Sequence, residues 1–347
     1  MREHGSEHSS EYLKRLLATL LIVGLLLLAW RIRYVLLLAF GSVLLAVVIR
    51  VVTQGFCKWL KLPPGLAFPL VVILMIATPI LTLTKFGADI VGQADLISDA
   101  LPAALEQARS LLAEAGFSDL ANKQVGELAS ESTFYDVAAG ALMSLGDALI
   151  NLVIVVVGGV FLASSPEVYR RGFIKLLPPT SRDAADLSLR EIGRALALWL
   201  KGRLLAMLLV GLFSGLGLWL IGVPSYLTLA LLAGLLEFVP FIGPVIAAIP
   251  AVLLALLIGP TEAMFVIGLY FLVQQFEGNL MTPLIQQHAV DLPPALLIYA
   301  VLGFGFLFGL AGVILAAPLT VVLFVLVKRL YVREYLNTST PIPGSTE

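Results

Sequence analysis

Apolar residues come in long blocks along this chain. Leu16–Trp30, Tyr34–Val52, Leu66–Thr84 and Ala141–Ala163 are four such runs, the first short and framed by Arg15 and Arg31. A helix needs about 20 mostly apolar residues to cross a bilayer. Basic side chains at its ends can snorkel to the interface and extend a short run. Each run is therefore expected to be a membrane helix. From Leu204 to Val327 the chain is almost continuously apolar, divided at Gly222–Pro224, Gly259–Pro260 and Leu280–Pro294. The pieces are Leu204–Ile221, Tyr226–Ile258, Thr261–Asn279 and Ala295–Val327.

Tyr226–Ile258 and Ala295–Val327 are too long for one span and are interrupted. Pro240, Gly243, Pro244 and Pro250 fall in one, and Gly303, Gly305, Gly309, Gly312 and Pro318 in the other. Proline removes a backbone donor and glycine weakens a helix. Two helices joined by a turn inside the protein are expected in each, because broken backbone at membrane depth survives only where it is buried or lines a cavity. The two stretches align without gaps. Pro224 falls on Pro293, Gly234 on Gly303, Gly243 on Gly312, and Ala247–Ala248 on Ala316–Ala317. Span plus hairpin, repeated upside down, is an arrangement found in many secondary transporters, with the site between the repeats.

Two polar stretches separate the apolar blocks. Lys85–Gly140 holds nine acidic and three basic residues, with Leu96, Leu101, Leu105, Leu112 and Leu120 at helical spacing. Ser164–Arg203 holds eight basic against four acidic residues, and Asp183–Lys201 reads as an amphipathic helix. Basic loops stay cytoplasmic, so 164–203 and the tail with Lys328, Arg329 and Arg333 are expected inside, and 85–140 outside. Arg31 and Arg33 then occupy an external loop, against that rule. The expected organisation is a tail with three helices (1–84), an external amphipathic insert (85–140), one helix (141–163) and a basic cytoplasmic linker (164–203). A transport core with two broken hairpins (204–327; 226–258 and 295–327) and a cytoplasmic tail (328–347) complete it.

Composition narrows the class. Hydrophobic residues are 59% of the chain, charged residues 13%, and the mean hydropathy is +0.99. Soluble domains are nearer half apolar and a quarter charged, so the fold class is an all-α polytopic membrane protein with lipid as partner. A net charge of -1 gives no sign of nucleic acid. Met1–Glu11 lacks the basic start of a signal peptide, and the first apolar run is expected to be retained. Cys57 is the sole cysteine. The sequence contains no phosphate loop, HExxH, GxSxG or CxxC. No catalytic residue, cofactor or metal is expected.

Leu204–Val327 contains no Lys or Arg but four acids, Glu237, Glu262, Glu277 and Asp291. A carboxylate in lipid costs several kcal/mol unless protonated or paired. With no basic residue in the run, a proton, a bound cation or access to water is expected to settle Glu237, which lies three residues before Pro240. Glu237 is the first candidate for ion coupling; a wet hairpin tip or a helix cap explains it equally well. Glu277, beside Gln274, Gln275 and Asn279, is a second candidate, with the membrane interface as the plainer reading. Gln275 and Asn279 can hydrogen-bond a solute, or simply glue helices together. Glu262 and Asp291 read as interface residues.

Gly222-Val-Pro-Ser-Tyr, Leu235-Leu-Glu-Phe-Val-Pro-Phe-Ile-Gly-Pro244, Glu277-Gly-Asn-Leu-Met-Thr-Pro-Leu-Ile and Gly309-Leu-Ala-Gly-Val-Ile-Leu-Ala-Ala-Pro318 resemble the autoinducer-2 exporter family, also described as PerM-like permeases. The resemblance implies about eight membrane segments in the bacterial inner membrane, both termini cytoplasmic, oligomers, and transport without ATP hydrolysis. Some members are described as exporters of the signalling molecule autoinducer-2 and others as sodium(lithium)/proton antiporters. Glu237, Glu277 and Asn279, with Pro240, Gly243, Pro244, Pro283, Gly309, Gly312 and Pro318 as hairpin and hinge residues, match its pattern. Gln286-Gln287-His288 departs from it, since relatives often carry a glycine and a basic residue there. The expected function is secondary transport of a small polar solute, or exchange of Na+ or Li+ for H+. A membrane scaffold or a passive channel is the alternative.

Overall fold

A computed structural model describes residues 27–77, 150–256, 258–281 and 292–343, with residues 16, 19, 20, 23 and 24 ahead of them. The insert expected at 85–140 and Pro283 lie outside the described residues, as do Gln286, Gln287, His288 and Asp291. Every regular element among the described residues is a helix. Three helical stretches, Arg33–Trp59, Pro179–Ile221 and Leu310–Tyr335, are long and apolar enough to cross a membrane, and a bent pair makes a fourth.

Helix α1 is Arg33–Trp59. The external loop expected to carry Arg31 and Arg33 is a break of one residue, Ile32. No Gly or Pro lies between Trp30 and Tyr34 to stop the helix, and the Arg33 guanidinium stacks over the Trp30 ring at 4.4 Å. Helices α2 (Pro64–Ala77) and α3 (Ile150–Ser164) pack on α1 through Ile49, Val71 and Ala163. The chain then turns by 90° into α4, Pro166–Lys175. Pro166 drives Ser165 out of helical geometry, to φ -140° and ψ 58°.

Helix α5 runs unbroken from Arg182 to Ile221, 40 residues. A linker helix separate from the following span was expected. The chain between them carries a single glycine, Gly202, which costs about 1 kcal/mol but does not end a helix. Gly222 ends it, at φ +85°. The Gly222 and Val223 amides both return to the Leu218 carbonyl, the capping pattern that glycine in left-handed geometry makes available.

Each long apolar run folds as two helices. The first gives α6 (Tyr226–Leu236) and α7 (Ile242–Leu256), and the second gives α9 (Pro294–Phe308) and α10 (Leu310–Leu326). Between the pairs lies α8, Pro260–Phe276, ending in a widened π turn at Glu277–Met281. A second widened stretch, Val327–Tyr335, prolongs α10. Helix α5 is the common wall: α1, α6, α8 and α10 all pack against it. At its base Ala195, Leu196 and Leu200 meet Leu44 of α1, Val321 and Val325 of α10, Leu292 ahead of α9, and Ile342 of the C-terminal tail.

Candidate functional site

The first hairpin turns at Glu237–Phe241. Leu235 and Leu236 carbonyls accept from the Phe238 and Val239 amides, so α6 tightens as it ends. Pro240 cannot continue the helix. Phe241 then takes φ +66°, a left-handed conformation that costs a non-glycine residue on the order of 1–3 kcal/mol. Gly243 lies directly under the Leu236 carbonyl, where a Cβ would collide with the oxygen. Pro244 falls in the first turn of α7, where its missing amide leaves no bond unmade. The second hairpin turns on one residue, Gly309, at φ +64° and ψ -146°. Gly312 faces the Phe304 carbonyl as Gly243 faces that of Leu236. Pro318 is buried inside α10, away from the turn.

Glu237 is 1% exposed. The expectation that it has no basic partner is overturned. Arg203 of α5, the residue just before the apolar run, reaches it: Nη2 stands 3.0 Å from Glu237 Oε1. The guanidinium also donates to the Glu237 carbonyl and, from Nε, to the Phe238 carbonyl at 3.4 Å. Its Nη1 stands 3.5 Å from Glu277 Oε1. One arginine thus holds both candidate acids and the backbone of the hairpin turn. Phe238 is braced edge-on against Trp199, one turn below Arg203 on α5, with ring centroids 5.9 Å apart.

The geometry that brings Arg203 in follows from helix pairing. Gly211 packs under the Ala230 carbonyl and Gly234 under that of Met207. Going down α5 therefore means going up α6, and Arg203 arrives level with the turn. Helix α8 also runs antiparallel to α5, with Arg203 beside Glu277, Val210 in one cluster with Val273, and Gly217 against Leu269. Glu277 arrives at the same level.

The node carries one positive and two negative charges in a nearly dry place, since the side chains of Arg203, Glu237 and Glu277 are 11%, 2% and 15% exposed. Gln274 adds a bond to Glu277 Oε2 at 3.1 Å. Glu237 Oε2 is buried and has no hydrogen-bond partner. An unmade bond of this kind to a buried charged group costs more than the ~1–3 kcal/mol typical of neutral groups. Gln275 and Asn279 are exposed and bond each other at 3.2 Å. The structure does not bring them to the node. Glu262 lies in the first turn of α8, behind Pro260, where a carboxylate complements the helix dipole.

A family model described as AI-2E family transporter matches residues 17–331. The chain belongs to the AI-2E transporter family. It is 32% identical to YrrI of Bacillus subtilis (strain 168), named as a candidate transport protein, over 47% of this chain and 46% of that one. It is 38% identical to a candidate transport protein of Mycobacterium tuberculosis (strain CDC 1551 / Oshkosh), over 42% and 40% of the two chains. PerM of Escherichia coli (strain K12), named as a candidate permease, is 29% identical over 67% and 66%. The chain spans about half the length of the curated relatives it matches. With its apolar helices, membership makes this a multi-pass membrane protein of a transporter and permease family. Glu237 and Glu277 of the node lie in two of the segments that carry the resemblance, Leu235–Pro244 and Glu277–Ile285, and Arg203 lies outside them.

Proposed function

We propose that this protein is a secondary transporter of the bacterial inner membrane whose coupling site is Arg203–Glu237–Glu277. It exchanges Na+ or Li+ for H+, or moves a small polar solute with an ion. The observation that carries this reading is a buried cluster in which Arg203 faces two carboxylates, a net charge of -1 among the described residues, with one oxygen, Glu237 Oε2, left unbonded. A single proton or monovalent cation neutralises the cluster and supplies the missing partner. Either one competes with Arg203 for Glu237. When Arg203 lets go, it also releases the turn carbonyls of Glu237 and Phe238, and its charge remains balanced by Glu277. Ion binding and hairpin freedom are thereby one event, which is what alternating access requires.

The two hairpins act as an inverted pair in this reading, within about eight membrane segments. Gly243 and Gly312, aligned in sequence, each let a returning helix cross a carbonyl of the helix before it, and this equivalence supports the pairing. Both termini are cytoplasmic, the 85–140 insert is external, and copies of the chain assemble as a homo-oligomer.

The test uses sealed proteoliposomes with a trapped pH dye. Addition of Na+ or Li+ outside moves protons in the wild type, and Glu237→Gln abolishes the response while leaving expression and folding intact. Conductance without exchange would assign a channel. Vesicles that are tight, hold folded protein and show no cation-dependent proton movement would eliminate the antiport mode and leave solute transport to be assayed.

A further inference from the structure

Among the described residues, four helical hydroxyls donate to the carbonyl four residues back, as Ser and Thr in helices commonly do. Ser42 bonds Leu38 O at 3.0 Å, and Thr53, Ser188 and Thr320 bond Ile49 O, Ala184 O and Ala316 O, each at 2.7 Å. Ser214 does not. It is wholly buried in α5, at 0% exposure, and its Oγ has no hydrogen-bond partner. The hydroxyl of Tyr270 on α8 is equally buried and equally bare. Buried tyrosine hydroxyls ordinarily find a partner.

The two belong to one place. Val210 of α5 and Val273 of α8 share one apolar cluster, with Ala247 of α7. Leu218 and Val266 share the next, with Ala251 of α7. Ser214 stands midway between Val210 and Leu218 on the same face of α5, and Tyr270 packs against both clusters. Ser214 and Tyr270 therefore both stand along the seam where the clusters meet, and small residues of α7 belong to each cluster. At 1.5 Å per residue, Ser214 is about 16 Å along α5 from Arg203, and Tyr270 about 10 Å along α8 from Glu277.

We propose that Ser214 and Tyr270 form a hydrogen-bonding station for a small neutral polar solute, a hydroxylated or amide-bearing molecule, on the path that ends at Arg203–Glu237–Glu277. This rests on the transport reading above and names its solute class. A hydroxyl both donates and accepts and carries no charge, which suits a neutral solute. A cation wants carboxylate and carbonyl oxygens, and the residues around the seam are Val, Leu and Ala. Glu237 Oε2, Ser214 Oγ and Tyr270 OH are three bare polar atoms in the interior enclosed by α5, the first hairpin and α8. The seam is shut in this structure: Gly217 lies against Leu269, and a Cβ on Gly215 would stand 2.8 Å from that of Ala230. The station fills when α8 or the first hairpin moves away from α5.

The test needs no known substrate. In a Cys57→Ser background in proteoliposomes, Ser214→Cys is compared with Ala195→Cys, the latter buried at 0% exposure in the separate cluster at the base of α5. The probe is hydroxyethyl methanethiosulfonate, itself small, neutral and hydroxylated. The expected result is modification of Ser214→Cys roughly tenfold or more faster, beyond what local unfolding shared by both positions would give. Equal rates overturn the proposal. Tyr270→Cys, read against the same control, serves if Ser214→Cys does not fold. In addition, Ser214→Ala and Tyr270→Phe should melt no lower than the parent, since each removes only a bare hydroxyl. A lower melting temperature in both would mean a structural partner and would overturn the proposal as well. The transport reading fails separately. Loss of ion response with Ser214→Cys still reactive removes the coupling site and keeps the station, and the reverse result does the opposite.

Discussion

Arg203 and Glu237 are 34 residues apart in the chain and 3.0 Å apart in space, Nη2 to Oε1, across the line where α5 meets the first hairpin. The pair ties a long helix to the turn of the first hairpin. The cost of separating it is therefore felt both in stability and in the freedom of the turn.

Removing one partner should be worse than removing both. Arg203→Ala leaves two buried carboxylates and should destabilise by about 3–5 kcal/mol. Arg203→Gln with Glu237→Gln leaves polar groups of similar size with less uncompensated charge and should recover most of the loss. Thermal unfolding of the wild type and the two variants in detergent checks this; a double variant no more stable than Arg203→Ala would refute the ion-pair account. In the dye assay both should lack cation-dependent proton movement.

Glycines of the hairpins and of α8 should respond with opposite signs. A Cβ at Gly243 or Gly312 collides with the carbonyl of Leu236 or Phe304, whereas at Gly268 it meets nothing within 4 Å. Helix propensity favours alanine over glycine by up to about 1 kcal/mol, and overpacking opposes it by ~1–3 kcal/mol or more. Gly268→Ala should hold or raise the melting temperature, while Gly243→Ala and Gly312→Ala should lower it.

The C-terminal tail should be a structural part. Ile342 is 3% exposed within the cluster at the base of α5, and Lys328 Nζ holds the neighbouring Pro341 carbonyl at 3.2 Å. Ile342→Ala should cost about 2–5 kcal/mol, read as a drop in melting temperature. Removal of residues 338–347 should cost at least as much.

Acid should loosen α4 from α5. Arg170 bonds Glu167 Oε2 at 2.5 Å and also holds Asp186 of α5. The hydrogen bond from Arg170 is the main cause that keeps the Glu167 carboxyl below its ordinary 4.5, with burial opposing it. A depressed carboxyl contributes stability above its unfolded value and loses it as pH falls through the folded one. The exchange protection of α4 amides should be flat from neutral pH down to about 4.5 and fall below it. Glu167→Gln should remove Glu167's share of that acid dependence. The Glu167 side chain is mostly exposed, so salt should weaken the effect.

Much of this was legible in the sequence. Tyr226–Ile258 and Ala295–Val327 read as broken pairs because Pro240, Gly243 and Gly309 say so locally, and Glu237 stood out as an acid in an apolar run. Arg203 did not, because it closes a basic stretch and is read most simply as the last residue of a linker. The signal was there. Gly222–Pro224 is a turn, and folding the chain back at it sets Arg203 against the residues near Pro240. Helix α5 is continuous through Gly202, since no residue there stops a helix. The bare hydroxyls of Ser214 and Tyr270 had no sequence signal at all. A serine in a helix looks the same whether or not it bonds its own backbone. Side-chain direction decides that, and packing sets it.

The length of α5 has one more consequence. Its 40 residues extend about 60 Å, twice the ~30 Å hydrocarbon thickness of a bilayer. Some of this rod must stand clear of the lipid, and the end nearest Arg203 carries the grips: Asp186 held by Arg170, and Glu191 3.7 Å from Arg329. A rigid rod transmits tilt over its full length. Whatever pulls on Asp186 or Glu191 from the aqueous side turns a lever whose fulcrum lies in the membrane, and Arg203 moves with it.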